Sequence, residues 1–287
     1  MATQLKTKLI VTLGVLGMSF SAILVRYSAA PSMVLVFYRL FFAALIMTVP
    51  GIRGLVREWP DITAKDLFCC LVSGFFLALH FNAYFTAVKL TSIAAAVVLV
   101  DAEVFFVSFA MLFFFREKLK KQALFGILIT FAGSVIIALG DAGGGGGSLA
   151  GDLWALSGAL FMGIYTVMGK ICRRHMSTGS YTMLVYWVTT LTALAFLRGQ
   201  GLPVIGYSLT DIGCAFGMTI LCTLLGHSVF SWGLKYISPA FISTVKLLEP
   251  VFASLLAILL FTEIPAATAV IGGMVVIGGI WLTGRAV

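Results

Sequence analysis

The sequence predicts an all-α integral membrane protein, with ten transmembrane helices arranged as two inverted five-helix repeats. Composition indicates the class: 61% of the 287 residues are hydrophobic and only 10% are charged, a balance far outside that of soluble domains. Segment length indicates the helices. A bilayer core of about 30 Å needs roughly 20 apolar residues per span, and such stretches follow one another almost end to end. Self-similarity indicates the repeats, because the chain matches itself at an offset of 146 residues.

The elements follow from where turn residues and charges interrupt the apolar runs. Helix 1, residues 9–25, ends at Tyr27-Ser-Ala-Ala-Pro31; it resembles the nine runs after it and lacks a small-x-small cleavage site, so it reads as a span and not a leader. Helix 2, 33–51, stops before the charged stretch Arg53 to Asp66, and helix 3 covers 67–88. Helix 4, 91–115, runs into the basic loop Arg116 to Lys121, and helix 5 covers 121–140. The stretch Asp141 to Ser148 has five glycines in eight residues and offers no packing side chains, so it reads as a flexible extracytoplasmic linker. Helices 6 (152–169) and 7 (180–197) follow. Ser238-Pro239 then separates helix 8 (210–234) from helix 9 (239–261), and helix 10 covers 265–283. The organisation is a first repeat over 1–140, a linker over 141–151 and a second, inverted repeat over 152–287.

A net charge of +8 invites a nucleic-acid reading, but the cations serve topology instead. With the amino terminus in the cytoplasm, 14 of the 19 Lys and Arg residues are cytoplasmic, three (Arg26, Lys89, Arg198) are outside, and Arg39 and Lys246 lie within helices. Both termini are therefore expected in the cytoplasm, with the lipid bilayer and a small molecule as partners and no nucleic acid. The five cysteines form no CxxC pair and have no interleaved histidines, so they read as packing residues. No metal and no cofactor are expected, and GxxxxGK[ST] does not occur, which argues against direct ATP drive.

The self-match runs from Lys89–Gly133 onto Lys235–Gly279, with 11 of 45 positions identical. Those matches include Lys89/Lys235, Glu103/Glu249, Glu117/Glu263, Gly126/Gly272 and Gly133/Gly279. Chance in so apolar a chain would match leucines and valines, not three charged pairs. Five is an odd number, so the second copy enters the membrane the other way up, as in alternating-access carriers with a site near the midplane.

Glu249-Pro250-Val-Phe-Ala253, then Leu260-Phe-Thr-Glu263, ahead of a Gly-rich last helix, resembles the EamA family of the drug/metabolite transporter superfamily. Aromatic richness makes the aromatic amino acid exporters the nearest branch. Helix 4 repeats the pattern with Val104 in place of the proline. The resemblance implies the drug/metabolite transporter fold, in which helices 1–4 and 6–9 enclose a central cavity braced by helices 5 and 10. It also implies a cell (inner) membrane carrier that exports small organic metabolites, most simply aromatic and other neutral amino acids; a carrier of another metabolite or drug is the alternative, and an enzyme using His80, Asp101 or Glu103 is not expected, since no nucleophile–base pair or clustered metal ligands accompany them.

Candidate site residues come from polar groups inside apolar spans, which are costly and need partners or water. Arg39, Asp101, Glu103, Lys246 and Glu249 are such groups. Lys246 and Glu249 are three apart, which suggests a pair within helix 9; a bridge from Lys246 to Asp101 is a further option. Residues shared by both copies are read as scaffold or hinge: Glu103, Glu117, Glu249 and Glu263, with the unmatched Pro250 beside them. Phe76, His80 and Tyr84 form an i, i+4, i+8 stripe on helix 3, either an aromatic packing seam or, as the resemblance implies, part of the cavity wall. Trp154, Phe161 and Tyr165 on helix 6, and His227 and Trp232 on helix 8, complete the substrate-cavity set with Asp101 and Lys246. The glycines seven apart in helices 5 and 10 permit close packing inside the bundle or a homodimer seam; a monomer is expected in preference.

Overall fold

The computed structural model describes residues 2–91, 93–116, 120–141, 148–252, 256 and 267–286. The repeat-matched Glu117 and Glu263 and the linker glycines therefore lie outside the described residues. The chain begins with α1 (Ala2–Met18) and α2 (Ser21–Tyr27), one apolar span interrupted at Ser19–Phe20. Pro31 opens α3 (Ser32–Glu58), which continues through Pro50 seven residues beyond the predicted end at 51, then tightens into a 3₁₀ turn at Trp59–Asp61. A reciprocal Thr63–Asp66 capping box starts α4 (Ala64–Leu90). Helix 4 of the prediction is two pieces, α5 (Ile93–Asp101) and α6 (Glu103–Phe114), and α7 (Lys121–Asp141) follows.

Ser148 caps α8 (Leu149–Cys172) and Ser177 caps α9 (Thr178–Gly199). A second capping box, Ser208–Asp211, starts α10 (Leu209–Met218). The same helix widens into a π-helical stretch, Thr219–His227, and resumes as α11 (Ser228–Gly233). Helix 9 opens with Pro239 at the start of α12 (Pro239–Lys246), breaks at 247–248 and resumes over 249–252. The last helix is α13 (Ala267–Ala286). Among the described residues, seven helical stretches are long and apolar enough to cross a membrane, and two shorter apolar helices lie at Lys121–Ile136 and Val270–Arg285.

The glycine stripes pack against each other inside the bundle. A Cβ on Gly126 would sit 2.8 Å from the Gly279 carbonyl, and one on Gly133 would sit 2.8 Å from the Gly272 carbonyl. The first number rises as the second falls, so α7 and α13 run antiparallel. Adding 146 to one member and subtracting it from the other turns the first contact into the second. Gly133→Leu is expected to force the two helices apart and to cost about 1–3 kcal/mol as overpacking, read as a lower thermal midpoint in detergent; an unchanged midpoint would refute the close contact.

The same offset relates the two breaks. It carries Ala102, where α5 gives way to α6, onto Leu248, where helix 9 is interrupted, so Glu103 and Glu249 each stand first in the resuming piece. A carboxylate in the first turn of a helix meets unpaired N–H groups and the positive end of the dipole. Pro250 falls in the first turn of its piece, where the missing N–H is no loss. The carbonyl freed at Leu247 accepts from Ser134 Oγ of α7 at 3.3 Å, which ties the break to the bracing helix.

Candidate functional site

The interruptions converge. Met18 at the end of α1, Ser21 of α2, Val100 and Asp101 at the end of α5, Glu103 at the start of α6, and Lys246 and Glu249 on either side of the helix 9 break all line one small cavity. Arg39 of α3, His80, Phe81 and Tyr84 of α4, Met162 of α8 and His227 of the π-helical stretch close it. Its volume is about 20 Å³, enough for water and far too little for an organic molecule.

Lys246 donates to Glu103 Oε1 at 2.8 Å, with each side chain only 2% exposed. This corrects the pairing with Glu249 that spacing suggests, and the bridge to Asp101 offered beside it. The turn at 247–248 removes the regular i, i+3 geometry towards Glu249, and the partner comes from the other half of the chain instead of from Asp101. The ammonium also lies 5.3 Å from the centre of the Phe230 ring, within cation–π range. Among the described residues this is the sole ion pair.

Arg39, 1% exposed, is held in place without a carboxylate partner among the described residues. Its Nε donates to Thr223 Oγ1 at 2.7 Å and its Nη1 to Ser21 Oγ at 3.3 Å, and its guanidinium stacks 4.1 Å from the centre of the Phe81 ring. The widened π turn positions Thr223 for this contact, while Thr219 one turn earlier donates to the Arg39 carbonyl at 2.8 Å. On the carboxylate side, Tyr84 donates to Glu249 Oε1 at 3.4 Å. Asp101 Oδ2 is buried with no hydrogen-bond partner among the described residues.

Two histidines share the wall. His80 Nδ1 lies 2.9 Å from the Gly158 carbonyl; a carbonyl only accepts, so this nitrogen is the donor. The His227 ring stands 6.3 Å from that of His80 and edge-on to Phe81 at 5.0 Å, and its Nδ1 has no partner among the described residues.

Of the residues selected from the sequence, His80, Tyr84, Asp101, His227 and Lys246 line the cavity, and so do Glu103 and Glu249, which the repeat marked as scaffold. The others lie elsewhere. Trp154 is on the outer face of α8, 41% exposed. Phe76 packs at a tilt against Phe161, ring centres 5.7 Å apart, in a partly buried seam between α4 and α8. Trp232 packs on Tyr236 at 5.1 Å. Tyr165 is buried behind the wall, bonded to Ser231 Oγ at 3.0 Å and 6.3 Å from the His227 ring. Arg39, Phe81 and Ser21 were not in the selected set; the signal for Arg39 was its charge inside a span.

Charged side chains also tie the ends of several helices together. Asp211 Oδ1 accepts from Ser28 Oγ at 2.5 Å and from the Ala30 amide at 3.1 Å, Arg26 donates to the Thr91 carbonyl at 2.5 Å, and Lys89 donates to the Ala30 carbonyl. Cys70 and Cys172 are free thiols with their sulfurs 3.8 Å apart between α4 and α8. No group of three or more His, Cys, Asp or Glu among the described residues is placed to hold a metal ion.

The sequence pattern of the EamA-like transporter family matches this chain twice, over residues 5–139 and 149–285. The chain belongs to the EamA-like transporter family. It is a multi-pass membrane transporter. Relatives of this EamA-like chain include an uncharacterized transporter of Clostridium kluyveri, 27% identical over 245 residues, with 82% of this chain and 78% of the relative covered. A second, described as a probable amino-acid metabolite efflux pump of Salmonella typhimurium, is 22% identical over 279 residues, with 93% and 90% covered. A solved crystal structure superposes with a TM-score of 0.75 at 19% identity, covering 97% of each chain; that likeness concerns the fold alone.

Proposed function

We propose that the protein is a secondary transporter that exports amino acids, aromatic and other neutral ones foremost, by alternating access through the cavity between two inverted halves. One observation carries the reading: Arg39 lines the cavity with no carboxylate partner, while Asp101 and Glu249 line it with no cation partner among the described residues. Unpaired charges of both signs in one small buried cavity are costly. A free amino acid supplies the missing partner to each, its carboxylate to the Arg39 fork and its ammonium to the acidic side. The rings of Phe81, Tyr84, His80 and His227 then offer an apolar, polarisable wall to the side chain.

Other observations support parts of this reading. The family pattern matches each half separately, and the offset that relates the halves exchanges the glycine contacts and the helix breaks. Discontinuous helices around a midplane site are the usual means by which such carriers expose polar backbone and side chains to a substrate. The cavity is too small for an amino acid as it stands, so loading requires the walls to part. The Salmonella relative's name supports the substrate class. In proteoliposomes, saturable uptake of labelled L-phenylalanine, competed by L-leucine and not by the decarboxylated amine, is the expected result. Flux of some other metabolite with none for any amino acid would reject the substrate assignment.

A further inference from the structure

The internal match pairs Lys89 with Lys235, and the cavity uses neither. Lys89 completes a clamp at one end of α4, where the turn after α2 is held from two sides. The Asp211 carboxylate accepts from the Ser28 hydroxyl at 2.5 Å and from the Ala29 and Ala30 amides at 2.9 and 3.1 Å, and the Lys89 ammonium donates to the Ala30 carbonyl. Asp211 Oδ1 makes these contacts, while Oδ2 serves the capping box with Ser208.

The opposite end of α4 holds the same parts, unassembled. Pro31, just before α3, lies 146 positions ahead of Ser177, just before α9, so Ala29 and Ala30 correspond to His175 and Met176. The Thr63–Asp66 capping box corresponds to Ser208–Asp211 at an offset of 145. The offset returns to 146 at Lys89 and Lys235 because the wider turns of the π-helical stretch between them take in one more residue. The Cys172 thiol, 3.6 Å from the Asp66 carbonyl, places the end of α8 beside Asp66. Yet the His175 and Met176 amides stay on the Cys172 carbonyl at 3.1 and 2.9 Å, continuing α8, and the Met176 carbonyl accepts from Arg173. Asp66 Oδ2 is engaged in its own box. Among the described residues, Oδ1 receives no donor from this turn, and Lys235 is exposed with no partner for its ammonium.

We propose that Asp66 and Lys235 are a second clamp, which takes the His175–Met176 turn when Asp211 and Lys89 release the Ala29–Ala30 turn, so that the two ends of the protein are fastened in alternation. The last turn of α8 then unwinds from the Cys172 carbonyl, Asp66 Oδ1 accepts the freed amides, and Lys235 replaces Arg173 on the Met176 carbonyl. The proposal rests on the reading of the halves as inverted copies in an alternating-access carrier, and its test separates the two. A clamp at one end alone would hold the protein in the state described, since its bonds to a carboxylate and from an ammonium are charge-assisted. A matching clamp at the other end restores what the first releases, which keeps both states populated. It also gives a use to the exposed lysine that the internal match pairs with Lys89.

The test reads distances at both ends of the full chain in lipid nanodiscs. Spin labels on Tyr27→Cys with Leu209→Cys report the Asp211 end, and on Ala64→Cys with Arg174→Cys the Asp66 end; all four positions are exposed, and the five native cysteines are buried. Each pair is expected to show a short and a long distance. Lys235→Gln is expected to shift both pairs about ten-fold or more towards the Asp211-fastened state, short at Tyr27/Leu209 and long at Ala64/Arg174, the factor for losing one hydrogen bond to a charged group. Lys89→Gln should shift them by a similar factor the other way, and Lys235→Arg, which keeps a donor, should resemble the wild type. Because Lys235 is exposed and touches nothing in the described state, misfolding does not obscure the result, and a merely solvated surface charge predicts no shift. Unchanged distances in Lys235→Gln overturn the second clamp, and with phenylalanine flux intact in proteoliposomes they leave the carrier reading standing. The expected shift with no flux of any amino acid supports the clamp and rejects the substrate assignment.

Discussion

Lys246→Met is expected to destabilise the folded protein by about 3–5 kcal/mol, because it leaves the Glu103 carboxylate buried with no partner. The two groups are 143 positions apart, meet at 2.8 Å and are almost wholly excluded from solvent. Removing one charge therefore loses the attraction and keeps the desolvation penalty of the other. Methionine fills much of the lysine's volume, so packing contributes little to the loss. Glu103→Gln alone should cost a similar amount by stranding the ammonium near Phe230. The double variant, Glu103→Gln with Lys246→Met, should recover most of the stability, since replacing both members of a buried pair removes the uncompensated charge. Thermal midpoints of the four proteins in one detergent form a double-mutant cycle. Single variants that unfold at the wild-type temperature, or a double variant as unstable as the sum of its parents, would show that the pair does not join helices 4 and 9 as described.

Arg39→Met is expected to reduce phenylalanine transport by about 2–5 kcal/mol of lost interaction, the amount typical when one partner of a desolvated charge pair is truncated, which is a fall of at least about 30-fold. Arg39→Lys should recover little. The lysine ammonium keeps the charge, but it cannot hold the fork that reaches Thr223 and Ser21 together while its head lies over Phe81, as the guanidinium does. A purely structural role predicts equal losses for every substrate. A carboxylate-binding role predicts something sharper: phenylalaninamide, which has no carboxylate, competes poorly with the wild type and no worse with Arg39→Met. Competition curves for phenylalanine and its amide on both proteins decide the point, and an unchanged preference for the free acid in Arg39→Met would remove Arg39 from the site.

The polar interior of a membrane protein is easier to list than to pair. His80 and Tyr84 were legible because two polar groups one helical turn apart share a face. Asp101, Lys246, Glu103 and Glu249 were legible because a charge inside a span needs a reason. Sequence spacing failed on the partner of Lys246, since a nearby Glu249 competes in one dimension with a Glu103 that is close only in three. Trp154, Phe161 and Trp232 were selected for aromaticity, but helices 6 and 8 are apolar on nearly every side. In such a helix no alternation of polar and apolar residues tells an inward face from a lipid-facing one, and the structure turns these rings to the surface or into seams. Arg39 was visible as a charge and passed over as a site residue because no second polar residue on its own helix marked the face.

Some properties of this protein are thus determined by the sequence alone. The bilayer sets the length and hydropathy of each span, the cost of a buried charge restricts where one is kept, and the 146-residue offset pairs Gly126 with Gly272 and Glu103 with Glu249. The tertiary structure alone decided how those marks are used. The glycine stripes face each other because helices 5 and 10 run antiparallel at backbone contact. The glutamates lie on the cavity wall because the helices break just before them. Arg39 lines the same cavity as Asp101 and Glu249, held there by Thr223 of the π turn in helix 8. Each of these is a relation between residues far apart in the chain, and electrostatic pairing in a low-dielectric interior depends on distance in space, which sequence separation does not record.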